Sequence, residues 1–318
     1  VEPLANDLDL FGSDFTTELP SGEDRPPFVF DDEPLDHILY GKGAEGPTPA
    51  SLYTRAREVL IDIHRARRQG EVQVAIHGAA ILAAEDCLIS ADMCSELAGI
   101  LTEMVPQVPN PILKFDLRPL CPLLEKIWRI GCEGKNKPLL KKSAAPLYRW
   151  YEHHKFYDKA RRVLTTLLEI HVEEGDRSVQ AVATNNLAFE YLLEGRYQEG
   201  IPGFERAAAI FEEIGDAAQS ANSRANCWTC RFESGESIDI DDAELELPRL
   251  SEVLSKAGFW QVRKPLILLA RLAEQRGEIG EAIALVRRAI TACKRSGTRY
   301  PEIDWAYLEK LKQKAVLA

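Results

Sequence analysis

The sequence predicts an all-α chain: antiparallel helix pairs stacked in series from about residue 51 to the C-terminus, behind an acidic leader. Three observations predict it. Apolar residues recur with helical periodicity throughout 51–318, with no strand-like alternation of note. The breaks between helical segments are short, with two exceptions, and short links make successive helices antiparallel neighbours. A turn marker recurs at Lys155, Gly195, Gly235 and Gly277, a nearly even spacing of about 40 residues. Such recurrence marks stacked units that share a continuous core.

The elements follow in order. Residues 1–50 hold seven prolines, five glycines and twelve acids against two bases, so this leader carries −10 of the chain's net −11 and cannot bury enough apolar surface to fold alone. It contains apolar clusters set in acid, Leu8 to Phe11, Phe15 and Phe28 to Phe30. Two readings stay open for it: a segment that docks in a groove, of this chain among others, or a solubilising tail. Helices are then expected near 51–69, 72–86, 90–105, 117–131, 139–153, 157–173, 178–194, 198–213, 217–234, 243–257, 262–276, 280–295 and 302–316. The two long connections are the stretch with Pro106, Pro109 and Pro111 and the acidic stretch from Gly235 to Glu246. An early pair turns at Gly70, with Ala75, Ala79 and Leu82 at packing positions; the pair after it is distorted by the three prolines. The last helix, around Trp305, Tyr307, Leu308 and Leu311, has in Glu309, Lys310, Lys312 and Lys314 the charged outer face of a cap. The expected organisation is therefore an extension over 1–50, divergent helical repeats over 51–138, clearer repeats over 139–297 and a capping helix over 298–318.

The clearest pair is NNLAFEYLLEGRYQEGIPGFERAAAIFEEIGD, residues 185–216. Leu187, Ala188, Tyr191, Gly195, Tyr197, Gly200, Phe204 and Ala207 fall in the order of the tetratricopeptide repeat, which this stretch resembles. Small residues let two helices approach, and larger ones fill the gap to the next pair. Gly200 stands where Ala is usual, at about 1 kcal/mol of helix propensity. The long spacing resembles the longer variety of kinesin light chains, whose extra residues sit between pairs. The resemblance covers 139–297 well and 51–131 weakly. It implies a right-handed superhelix, with Leu187, Tyr191, Phe204, Ala207, Leu269 and Ala282 buried between helices.

Composition narrows the function. With 45% hydrophobic and 28% charged residues a sizeable core is available. No apolar run is long enough to cross a bilayer, and the start VEPLANDLDLF lacks a basic stretch followed by an apolar one, so the expectation is a soluble, cytoplasmic protein with no membrane partner. The balanced body and acidic leader lack the net basic surface that nucleic-acid binding needs. Seven cysteines without framework spacing suit a reducing compartment.

Motifs for chemistry are sparse. Cys227 and Cys230 form CWTC inside a helix, without the preceding strand of a redox pair or the second half of a zinc site, and read as packing residues. His153 and His154 point about 100° apart and read as a polar helix end. His37, His64, His77 and His171 are scattered. The acids from Glu233 to Glu246 lack the order of a calcium loop and read as a solvated linker, with Asp241 or Asp242 capping the next helix. No phosphate-cradling loop or nucleophile elbow is present. The expectation is no enzyme, no cofactor and no metal.

In the resembling family the first helix of each pair lines the concave wall, at positions two, five, nine and twelve of the repeat. Here those places hold Lys142, Ala145, Arg149 and Glu152; Val182, Asn185, Phe189 and Leu192; Asn222, Ala225, Thr229 and Phe232; Lys264, Ile267, Arg271 and Glu274. From these, Lys142, Arg149, Asn185, Phe189, Asn222, Thr229, Lys264 and Arg271 are the expected peptide-binding residues. Amides can bond a ligand's backbone, Lys and Arg meet carboxylates, and Phe supplies a pocket. The Lys-x-x-x-Asn clamp of the chaperone-binding members is not reproduced: position five with nine is Asn185 with Phe189. The resulting expectation is a scaffold or adaptor for another protein's extended or helical segment, an acidic one among the candidates. The alternative is a regulatory sensor that binds a peptide or small effector and signals through a partner.

Overall fold

The computed structural model describes residues 49–83, 89–104, 120–235, 238–295 and 302–317. Residues 1–48 of the leader and the Pro106–Pro111 stretch lie outside the described residues. Thirteen α-helices and no strand occur among those described: α1 (Pro49–Gln69), α2 (Val72–Ala83), α3 (Ala91–Met104), α4 (Leu120–Glu133), α5 (Lys137–His153), α6 (Tyr157–Glu174), α7 (Arg177–Leu193), α8 (Tyr197–Glu213), α9 (Ala217–Glu233), α10 (Ile240–Lys256), α11 (Arg263–Gln275), α12 (Ile279–Arg295) and α13 (Glu302–Leu317). A 3-10 turn, Trp260–Val262, precedes α11. None of these helices is long and apolar enough to cross a membrane.

The chain divides into two compact units that part between Ser143 and Ala144, within α5. The clearer repeats are expected to begin at 139. Pro146, just beyond the division, removes one intrahelical hydrogen bond from α5.

In the N-terminal unit α1 packs on α2, and α2 on α4. Gly78 permits the first contact: a Cβ there would stand 2.6 Å from Cγ1 of Ile63. Leu120, Leu123, Leu124 and Ile127, spaced as one helical stripe, give α4 a fully buried face.

In the C-terminal unit each helix from α6 onward packs on the next. The period is set at the turns. Positive φ occurs at Lys135, Lys155, Gly175, Gly195, Gly215 and Gly235, at equal intervals along the chain. At Gly195 and Gly215 the same two bonds close the preceding helix: Gly195 N to Leu192 O (3.1 Å) with Arg196 N to Tyr191 O (2.9 Å), and Gly215 N to Glu212 O (3.1 Å) with Asp216 N to Phe211 O (2.8 Å). This double closure satisfies carbonyls that a helix end leaves open, and the left-handed residue it requires is most easily Gly. The long repeat is thus two equal halves, each a helix of 17 residues and a short turn. The residues beyond the usual repeat length lie in the helices and not between the pairs, a departure from the longer-spaced arrangement the spacing suggested.

Caps begin several helices. Asp176, Asp216 and Asp239 accept from Val179 N, Gln219 N and Asp242 N. The cap of α10 is therefore Asp239, ahead of the expected Asp241 or Asp242, and α10 starts earlier than its pattern suggested. Replacing Asp216 by Ala is expected to cost about 1 kcal/mol in chemical unfolding, since it leaves orphan amides at the start of α9.

The close contact of α7 with α8 is made by small residues. A Cβ on Gly203 would lie 2.7 Å from Ala188 Cβ, and one on Gly200 3.1 Å from Ala188 O. Phe204, Ala207 and Ala282 are fully buried, as expected. Leu187, Tyr191 and Leu269 are half-buried. Tyr191 is held partly outside because the Arg161 and Arg196 guanidinium groups lie 4.6 and 4.9 Å from its ring centre. A larger core runs from α9 to α13 through Trp228, Leu247, Leu266, Val286 and Leu311.

Candidate functional site

The first helices of the pairs, α5, α7, α9 and α11, meet their neighbours through polar contacts in one register. Asn186 Nδ2 donates to Tyr148 Oη (3.4 Å), Ser223 Oγ to Asn185 Oδ1 (3.0 Å) and Lys264 Nζ to Asn226 Oδ1 (2.6 Å); Arg271 pairs with Glu233. Each pair is separated by 38 residues. The step is shorter than the repeat because the two sides of a helix that face its neighbours are different stripes.

Of the eight expected wall residues, Lys142 belongs to the N-terminal unit, where its Nζ donates to Ser95 Oγ at 2.9 Å. The other seven belong to the C-terminal unit. Arg149 is half-buried on α5 and lowers the pKa of Tyr148 and Glu152 by its charge, against a larger upward push from burial. Asn185 and Asn222 are buried, at 6% and 2% exposure. Asn185 Oδ1 accepts from both Ser223 and Asn226, so its amide serves the α7–α9 contact. Asn222 Oδ1 has no hydrogen-bond partner. Thr229 donates to Ala225 O of its own helix at 2.9 Å.

Phe189, Lys264 and Arg271 remain partly exposed on α7 and α11. The Lys264 ammonium stands 5.6 Å from the Phe189 ring centre while it donates to Asn226. An aromatic floor, an amide and an ammonium are thereby held together on one wall. An anionic group approaching Lys264 would meet a charge already aimed by Asn226 and the ring. Asn226, Ser223 and Glu233 fall outside positions two, five, nine and twelve; the available signal was the common step along the chain that separates each from its partner.

Cys227 and Cys230 are buried against Ala188 and Phe204, and burial pushes their thiols up to about 11 and about 12. Thiols so placed are poor nucleophiles at neutral pH. His154 stacks on Trp150 at 3.7 Å between ring centres and its Nδ1 lies 2.8 Å from Trp150 O, while burial lowers the pKa of His153. Among the described residues no group of three or more His, Cys, Asp and Glu could hold a metal ion. In the N-terminal unit an open groove of about 620 Å³ lies between α1 and α3, lined by Ile61, His64, Arg67, Arg68 and Glu96, with His64 Nε2 2.5 Å from Glu96 Oε1.

No protein-family model and no curated protein matches the chain.

Proposed function

We propose that the C-terminal unit is a tetratricopeptide-type array of right-handed superhelical sense, and that its first-helix wall holds an extended or helical segment of another protein. The chain acts in this reading as a scaffold or adaptor. The observation that carries it is the grouping of Phe189, Asn226, Lys264 and Arg271 on α7, α9 and α11, beside a buried amide network that uses Asn185 to lock those helices together. A rigid wall lowers the ordering cost of binding, and a partly exposed aromatic beside cations offers an anchor and an orientation. Lys264 and Arg271 favour a segment that carries carboxylates.

The test is site-specific photocrosslinking from position 229 in the full chain, followed by measured affinity for the captured segment. Phe189→Ala and Lys264→Glu are each expected to weaken binding by about tenfold or more. Deletion of residues 1–47 is expected to raise affinity, because a tethered acidic leader with hydrophobic anchors competes at an effective millimolar concentration. Affinity unchanged by both wall substitutions would rule this wall out.

A further inference from the structure

Four lateral contacts between first helices join complementary groups 38 residues apart: Tyr148 with Asn186, Asn185 with Ser223, Asn226 with Lys264, and Glu233 with Arg271. A fifth place in the same register breaks the pattern. From Glu152 the step leads to Glu190, and the charge of Glu152 bears on Glu190. Glu190 is 1% exposed and its Oε2 has no hydrogen-bond partner.

The surroundings offset the two charges only in part, since burial outweighs the nearby cations at both acids. Tyr148 and Glu152 bear on Glu190 from α5, with Arg149 beside Glu152. Tyr157 and Arg161 do so from α6, and Glu194 from the end of its own helix. Arg161 already donates to Glu194 Oε2 at 2.6 Å and to Asp158, so its charge is divided. On α8 and α9, Glu199, Glu205, Glu212 and Glu233 are committed to Arg196, Arg231, Arg224 and Arg271. Glu190 is withdrawn from water and feels the charge of the half-buried Glu152, and two carboxylates so placed cannot both stay ionised without a penalty. A proton is small enough to reach a side chain this buried.

We propose that Glu152 and Glu190 hold one proton between them across the α5–α7 contact, and that its loss to solvent loosens this contact, which makes the C-terminal unit responsive to pH. The protonated carboxyl donates its O–H to the facing carboxylate. This supplies the contact that the other pairs in the register make with amides, hydroxyls and cations. Burial raises both carboxyls above the ordinary range, and at Glu190 the neighbouring charge of Glu152 adds to it. The folded chain therefore binds more protons than the unfolded one between the ordinary carboxylate range and these raised values. Stability falls as pH rises through that window, the reverse of a salt-bridged acid.

The test follows denaturant unfolding and amide hydrogen exchange of the full chain from pH 5 to 9, in the parent protein, Glu190→Gln and Glu152→Gln. It requires no partner, so its failure is separate from that of the binding reading. The expected result is that Glu190→Gln matches the parent at pH 5 and becomes the more stable at pH 8. The ratio of their unfolding constants should change by up to about tenfold per pH unit inside the window. Protection factors in α5 and α7, which remove the intrinsic rise of amide exchange with pH, should fall with pH in the parent alone. Parallel pH profiles for the parent and Glu190→Gln overturn the proposal. If Glu190→Gln does not fold, Glu152→Gln is read in the same way. The side-chain carboxyl resonance of Glu190 in the parent then provides an independent decision: titration in the ordinary glutamate range overturns the proposal.

Discussion

Replacing Ala207 by Arg unfolds the α7–α8 pair while leaving the N-terminal unit folded. Ala207 is fully buried among Ala181, Val182, Ile210 and Phe211. The helices it separates are already as close as Gly203 and Ala188 allow, since one added carbon at 203 would stand 2.7 Å from its neighbour. An arginine must therefore force the helices apart or leave an unpaired guanidinium inside, and either outcome costs about 3 kcal/mol or more. Phe204→Ala is a calibrating variant at the same contact, expected to cost about 3–5 kcal/mol through the cavity it leaves. Hydrogen exchange resolved by segment checks the result: protection should collapse over α7 and α8 and persist in α1, α2 and α4. Local loss is expected because stacked units are stabilised mainly by their neighbours. An unchanged unfolding midpoint would show that Ala207 does not lie in a close-packed contact.

Asp304→Ala releases the last helix. Asp304 is 2% exposed, and Arg263 grips it with two nitrogens: Nη2 donates to Oδ1 at 2.8 Å and Nε to Oδ2. Truncating the acid strands the arginine in a place where its side chain is only 12% exposed, and breaking a buried pair in this way costs about 3–5 kcal/mol. The rest of α13 is held by Leu308 and Leu311, by Tyr307 Oη donating to Glu274 Oε2 at 2.8 Å, and by an ion pair of Lys314 with Glu274. Exposed ion pairs contribute at most about 1 kcal/mol, so they cannot replace the lost one. Exchange protection should disappear across 302–317, with a smaller loss in α11. Replacing both partners together, Arg263→Met with Asp304→Leu, is expected to recover most of the stability, because no charge is then left unpaired.

Much of the fold is local in origin, and that part was legible. Thirteen helical segments were expected and thirteen helices are described, with most boundaries in close agreement. Helical periodicity, glycines at left-handed turns and Asp caps all act over short stretches of the chain. Gly195 ends α7 and Asp216 opens α9 whatever surrounds them. The small-residue contact of Ala188 with Gly200 could also be read, because close helix approach demands small side chains.

What the sequence by itself determined is therefore the helical class and the turn positions; the half-period beneath the long repeat emerged from the left-handed residues of the structure. Only the tertiary structure decided where the chain divides, within α5, and what the first-helix side chains do. Asn185 looked like a hook for a ligand backbone and instead bonds Ser223 and Asn226. Tyr191 looked like core and stays half-exposed between two guanidinium groups. Glu190 had no distinguishing mark in its own helix, yet it stands buried opposite Glu152. For each of these side chains a deciding neighbour lies on another helix, far away along the chain. Burial, charge and hydrogen bonding depend on that neighbour and not on the residues adjacent in sequence.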